Sequence, residues 1–145
     1  MSEPRPFRRD PSHWLLRLSP DEWIRAGLSE LEQARAQFKA KNPGGAVVGL
    51  KRAAGMALNG ALVRRPNDAW GRKYSEHLLA LAADRSAPEE VRAAAHMVHE
   101  ARAPSGPIVS LRTPSHDERL VEAARIVMAH AYALVHGKPP GEGEG

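Results

Sequence analysis

Three side chains in the last third of the sequence have the types and spacing to act on a phosphodiester: Arg125, His130 and Tyr132. A histidine can take a proton from a ribose 2′-hydroxyl or give one to the leaving oxygen. An arginine can bind the phosphate through two parallel hydrogen bonds, and a tyrosine can position it. Together these residue types could supply the groups that metal-free cleavage of RNA requires.

Helix geometry limits how one chain could use these residues. Arg125 and Tyr132 are seven residues apart, so on one helix they lie nearly in line. His130 follows Arg125 by five residues, which is a rotation of about 140° around the axis. One helix alone would not close a tight site, and a dimer that brings two copies of the helix together would help.

The arginine–histidine spacing recurs elsewhere in the chain, so the tyrosine is what distinguishes the arrangement at Arg125. Arg72 and His77 repeat the separation with Lys73 and Tyr74 between them, and no tyrosine follows His77. The chain has only 2 Tyr, so the complete arrangement at Arg125 is less expected by chance. Packing in the core is the simpler interpretation of His77.

A second candidate surface is the densest group of cations, which is bracketed by Trp70 and Tyr74. Basic side chains beside aromatic rings are typical of surfaces that follow a nucleic-acid backbone and stack its bases. Ordinary solvation of helix ends explains the same composition equally well. The basic cluster consists of Lys51, Arg52, Arg64, Arg65, Arg72 and Lys73.

The sequence predicts no metal site and no cofactor. His96, His99 and Glu100 have the spacing of ligands on one helix face, but a second helix with a further ligand is not evident. A solvated helix face is the expected explanation. Walker loops and dinucleotide-binding fingerprints do not occur.

Length and composition indicate one helical domain. A chain of 145 residues with 42% hydrophobic content suits a single core, and Cys 0 excludes disulfides and a cysteine nucleophile. No stretch approaches the ~20 apolar residues of a membrane span, and the first residues contain no apolar signal region. We expect a cytoplasmic protein without a membrane partner. The net charge of +4 permits contact with nucleic acid.

Helical periodicity and abundant alanine predict an all-α fold in a single domain. We expect a flexible arm over residues 1–12, the helical bundle over 13–136 and a disordered Gly/Glu/Pro tail over 137–145. The first helix should open at Ser19, with Glu22 reaching back to form a capping box. Its expected buried stripe is Ile24, Leu28, Leu31, Ala34 and Phe38.

Four further helices are expected. A turn at 42–45 should precede a helix over about 46–62, in which Gly49, Gly55 and Gly60 imply close packing and a central position. The others should cover about 69–84, start near 86–90, and run from about 115 to 136. The expected buried stripe of the last helix is Leu120, Ala124, Val127, Ala131 and Leu134.

The segment from Arg125 to Tyr132 resembles the ribonuclease-toxin branch of the HEPN superfamily. Trp23, Ala26, Leu31 and Ala34, then residues 51–58, then His77, Leu78 and Leu81 are similar to the first three helices of that superfamily in order. The resemblance covers about residues 20–136. It implies an up-and-down bundle of four or five helices that dimerises. In the toxin branch, Arg125 and His130 would be the RNA-cleaving pair, and Tyr132 the residue that a partner nucleotidyltransferase modifies.

Two functions remain open. The first is a HEPN-like domain that binds nucleic acid or a nucleotide, with metal-independent endoribonuclease activity of the toxin–antitoxin type at Arg125 and His130. The second is a non-catalytic interaction or scaffold protein, in which alanine-rich faces and glycines support a homodimer. In the second, the spacing of Arg125, His130 and Tyr132 is coincidental, and Arg125→Ala leaves all behaviour intact.

Overall fold

The computed structural model describes residues 14–102 and 114–137, which form a bundle of five α-helices. The helices are α1 (Pro20–Lys39), α2 (Pro43–Arg64), α3 (Tyr74–Ala82), α4 (Glu89–Glu100) and α5 (Pro114–His136). Within the described residues all regular structure is helical, which confirms the all-α prediction. The expected arm over 1–12, and the expected tail apart from Gly137, lie outside the described residues.

The centre of the bundle is α2, which contacts all four other helices. It packs between α1 and α5, while α3 and α4 pack on each other and α4 also contacts α5. Contrary to the expectation that no stretch approaches a membrane span, α2 is long and apolar enough for one, but most of it is buried inside the bundle, as in a core helix. The predicted central position is confirmed. Its buried residues include Val47, Leu50, Ala54, Leu58 and Leu62.

Glycines let α1 and α2 approach closely. A methyl group at Gly27 would lie 2.7 Å from the carbonyl oxygen of Ala53, and one at Gly60 would lie 2.7 Å from that of Pro20. Early residues of α1 thus face late residues of α2, so the helices are antiparallel. The close packing expected of the glycines in α2 is confirmed, since a larger side chain would separate the two backbones.

The first helix begins as predicted but buries a slightly different face. Glu22 N donates to Ser19 Oγ at 3.1 Å, and Ser19 N donates to Glu22 Oε1 at 2.8 Å, which completes the capping box. Leu28, expected in the core, is 49% exposed. The inward position belongs to Gly27, because only glycine fits between α2 and the Met128 side chain of α5.

Two predicted boundaries are wrong. The expected turn at 42–45 is the first turn of α2, in which Asn42 Oδ1 accepts a hydrogen bond from Gly45 N at 3.2 Å. The third helix starts at Tyr74 instead of near 69, because Gly71 takes a left-handed backbone conformation with φ 69°. The last helix, Pro114–His136, matches its prediction closely.

Candidate nucleic-acid interface

The residues predicted to act on a phosphodiester lie on two different faces of α5. Arg125 and Tyr132 are exposed, whereas His130 is half-buried at the edge of the apolar stripe. This is consistent with the expected apolar stripe of α5, which contains none of the three residues. One chain by itself does not bring His130 to the other two residues. The stripe consists of buried Leu120, Ala124, Val127 and Ala131 and partly buried Leu134.

His130 faces the turn that follows α3. Burial lowers the pKa of His130, and the nearby Asp84 carboxylate acts in the opposite direction. The imidazole is therefore largely neutral near pH 7 and can accept a proton. Its surroundings are those of a residue at the edge of the core.

Tyr132 is part of a cluster that connects α5 to the beginning of α1. Its ring, on a residue that is 54% exposed, lies 4.6 Å from the ring of His136 at an interplanar angle of 42°. The His136 side chain in turn makes a short hydrogen bond through Nε2 to Asp21 Oδ1. A carboxylate thus orients an imidazole, which is the usual arrangement around a histidine that transfers protons.

The sequence does not single out Asp21 and His136, which the structure brings together beside Tyr132. They are 115 positions apart, and only the antiparallel packing of α1 and α5 brings them together. Asp21 lies in the first turn of α1 and His136 in the last turn of α5, where helix dipoles favour a negative and a positive charge respectively. The only local signal is that His136 follows Tyr132 by one helical turn.

Arg125 has one weak partner among the described residues. Its Nη1 lies 3.7 Å from Glu122 Oε1, and both side chains are about half exposed or more. Ion pairs of this kind contribute about 0–1 kcal/mol, so a phosphate can replace the carboxylate at little cost. Arg125 is therefore available to an anionic ligand.

The structure places the residues of the predicted basic cluster on different elements and gives them different partners. Lys51 Nζ donates to the backbone carbonyl of His99 at 3.1 Å, at the end of α4. Arg52 Nη1 pairs instead with Glu30 Oε1 of α1 at 3.0 Å. Exposed Arg64 and Arg65 end α2, about 20 Å further along the helix axis. Lys51 and Arg52 are thus directed to different helices, α4 and α1.

Arg72 and Lys73 belong to the cap of α3. Their backbone N–H groups donate to Glu76 Oε1 at 2.8 and 3.0 Å. The hydrogen bonds from Lys73 and then Arg72 hold the pKa of Glu76 below its usual value. Trp70 is buried, so it offers no exposed ring for base stacking beside these cations.

Tyr74 also faces inward. A methyl group at Gly55 would overlap its ring, so this glycine makes room for the tyrosine on the surface of α2. Burial raises the pKa of Tyr74, while Arg52 acts in the opposite direction. The aromatic pair expected to flank the basic cluster is therefore largely used in packing.

His77 is fully buried, as its core-packing interpretation predicts. Its Nδ1 lies 2.8 Å from the carbonyl oxygen of Trp70 and its Nε2 2.8 Å from the side chain of Asn59. Burial lowers the pKa of His77, so the ring is neutral and carries one N–H, which donates to Trp70. Among the described residues, Asn59 Oδ1 faces Nε2 while Asn59 Nδ2 is buried without a partner, so exchanging the amide oxygen and nitrogen of Asn59 gives the unprotonated Nε2 a hydrogen-bond donor.

Within residues 14–102 and 114–137, no group of three histidine or acidic side chains could hold a metal ion. On the candidate face of α4, two of the three expected ligands pair with each other, because His99 Nδ1 lies 3.0 Å from Glu100 Oε2.

No protein-family model, curated protein or solved structure matches this chain. The resemblance to HEPN domains therefore stays a prediction.

Proposed function

We propose that this bundle binds single-stranded RNA on the surface formed by Asp21 of α1 and Arg125, Tyr132 and His136 of α5, the α1–α5 surface. The three residues of α5 fall within about 40° of the helix circumference. The observation that carries the proposal is the exposed Tyr132 ring, packed on His136 and anchored through Asp21.

An exposed ring that packs on a neighbouring ring is suited to base stacking. Stacking of a base on an aromatic side chain contributes about 1–3 kcal/mol and tolerates any base, because every base has a flat π-face. The contact of Tyr132 with His136 restricts the ring before the ligand arrives. A restricted ring loses less conformational freedom on binding.

Arg125 adds a phosphate contact on the same strip of surface. It lies about 10 Å from Tyr132 along the helix axis, so one strand lying along α5 meets both side chains. The net charge of +4 favours the approach of a polyanion. The resemblance to HEPN domains supports RNA as the nucleic acid.

Binding is tested by fluorescence anisotropy with a labelled single-stranded RNA and folded variants. We expect Tyr132→Ala to weaken binding by about 5-fold to 150-fold, the equivalent of one lost stack. Tyr132→Phe keeps the ring and should bind like the wild type. Arg125→Gln should weaken binding and reduce its salt dependence. Arg85→Gln removes an exposed cation from the turn between α3 and α4 and serves as the matched charge control.

If Tyr132→Ala and Arg125→Gln bind RNA as well as Arg85→Gln does, the α1–α5 surface is not the binding site. Absence of RNA binding in the wild type would favour the scaffold function. That alternative is examined by the mass of the particle in solution, since a scaffold homodimer should persist in Arg125→Ala.

Metal-independent cleavage is a second candidate function, favoured by the hydrogen bond between Asp21 and His136. Two histidines can be the base: His136 on the α1–α5 surface, or His130 in a site that two copies of α5 would complete. Cleavage of RNA in EDTA by His136→Ala, Asp21→Asn and His130→Ala distinguishes them. Loss of cleavage in His136→Ala and Asp21→Asn assigns the base to His136. Loss of cleavage only in His130→Ala assigns it to His130. No cleavage by the wild type leaves a binding module.

A further inference from the structure

Two cationic side chains, Lys51 and Arg102, meet at the end of α4. Lys51 Nζ of α2 donates to the carbonyl oxygen of His99 at 3.1 Å. Arg102 Nη1 lies 3.4 Å from the same oxygen and donates to the carbonyl of Ala101 at 3.0 Å. The ammonium and the guanidinium are thus held side by side on one acceptor.

This arrangement disfavours the protonated form of the amine. Burial lowers the pKa of Lys51, the positive charge of Arg102 lowers it further, and Glu100 acts in the opposite direction. Lys51 is only partly buried, so reagents in solvent can reach it. More of this amine is therefore neutral at a given pH than of a fully exposed lysine.

We propose that Lys51 is a site of acylation by small acyl phosphates, with its Nζ as the nucleophile and the Arg102 guanidinium as the group that binds the phosphate. A guanidinium has five N–H donors in a planar fork that matches phosphate oxygens. The hydrogen bonds described for Arg102 involve only its Nη1. Nucleophile and phosphate ligand therefore converge on one place.

The reaction is a simple acyl transfer. The lone pair of neutral Nζ attacks the acyl carbon, a C–N bond forms, and the bond between the acyl carbon and the phosphate oxygen breaks. Nζ loses one proton, which leaves with inorganic phosphate. The product amide still has one N–H, which can donate to the His99 carbonyl. The modification also removes the charge repulsion between Lys51 and Arg102.

The experiment is competitive acetylation of the folded protein with acetyl phosphate. Partial acetylation with a light label is followed by unfolding and complete acetylation with a heavy label. Cleavage at arginine then yields one peptide, residues 36–52, that contains Lys51 together with Lys39 and Lys41. Lys39 and Lys41 are exposed, so tandem mass spectrometry compares Lys51 with two matched controls in one molecule.

We expect Lys51 to acetylate faster than Lys39 and Lys41 near neutral pH, with its rate profile shifted to lower pH. The difference should vanish when the protein is unfolded before the first label. Arg102→Gln should move the profile of Lys51 back toward that of the controls and slow acetyl phosphate more than an uncharged active ester. Arg85→Gln should change neither the pH profile of Lys51 nor its rate with acetyl phosphate.

A rate at Lys51 equal to or below that of Lys39 and Lys41, with the same pH profile, would overturn the proposal. A fast Lys51 whose rate with acetyl phosphate is unaffected by Arg102→Gln would overturn the assignment of Arg102 as the phosphate ligand. Far-UV circular dichroism of each variant shows whether a changed rate comes from a changed fold.

Discussion

Replacing Gly27 by alanine tests the close approach of α1 and α2. In an exposed helix, alanine is more stable than glycine by about 1 kcal/mol. At this position the new methyl group would lie 2.7 Å from the carbonyl oxygen of Ala53 and 3.3 Å from Met128 Cε. The methionine can adjust its rotamer, but the carbonyl moves only if α2 moves.

The expected cost follows from these two opposing terms. Overpacking a well-packed core costs about 1–3 kcal/mol, and a clash with backbone places Gly27→Ala toward the upper part of that range. Subtracting the gain in helix propensity of about 1 kcal/mol leaves a net loss of about 1–2 kcal/mol in the free energy of unfolding. The sign is thus opposite to that of an ordinary glycine-to-alanine change in a helix.

Gly44→Ala is the matched control. It lies in the first turn of α2, where the nearest atom to a new methyl group is Asn42 Oδ1 at 4.0 Å. With space available, the substitution should stabilise the protein by about 0.4–1 kcal/mol. Urea unfolding followed by far-UV circular dichroism measures both variants. A Gly27→Ala protein as stable as the wild type, beside a normal Gly44→Ala, would refute the packing described for α1 and α2.

Two predictions concern pH. Burial puts the pKa of His77 in the folded protein below its unfolded value of about 6.5. The unfolded state therefore binds more protons, so stability should fall as the pH drops below about 6.5. The loss should be at most about 1.4 kcal/mol per pH unit for this group. Urea unfolding at about pH 7.5 and about pH 5.5 should show a smaller pH dependence in His77→Gln, and an unchanged dependence would contradict this assignment. Glu76 has a lowered pKa in the folded state, so its stabilisation is present above the unfolded pKa of about 4.3 and is lost as the pH falls further. Glu76→Gln should therefore be less stable than the wild type at neutral pH and equal to it in acid; a difference that persists in acid would argue against the cap of α3.

The parts of the fold that depend on neighbouring residues could be predicted from the sequence. The capping box of Ser19 and Glu22 is a contact between residues three positions apart, and its signal is complete in the sequence. The predicted start of α2 is wrong because Asn42, Pro43 and two glycines suit both a turn and a helix start. Propensity does not decide between the two, whereas the packing of α2 against the other helices does.

The candidate site depends on long-range packing and could be predicted only in part. The exposure of Arg125 and Tyr132 follows from the apolar stripe of α5, which is a local pattern. The pairing of His136 with Asp21 follows from the antiparallel contact between α5 and α1, which no short segment encodes. Likewise, adjacency in sequence suggested that Lys51 and Arg52 act together. One residue on a helix corresponds to a rotation of about 100°, and the two side chains are directed to different neighbours.

The apolar character of α2 has a consequence for synthesis of the protein. Its two sides are covered by α1, which precedes it in the chain, and by α5, which follows after α3 and α4. A nascent chain can pair α1 with α2 early, but the side that packs on α5 stays uncovered until the last of these helices has been made. Exposed apolar surface of this kind promotes aggregation in incomplete chains. We therefore expect fragments that end before α5 to require a chaperone to stay in solution.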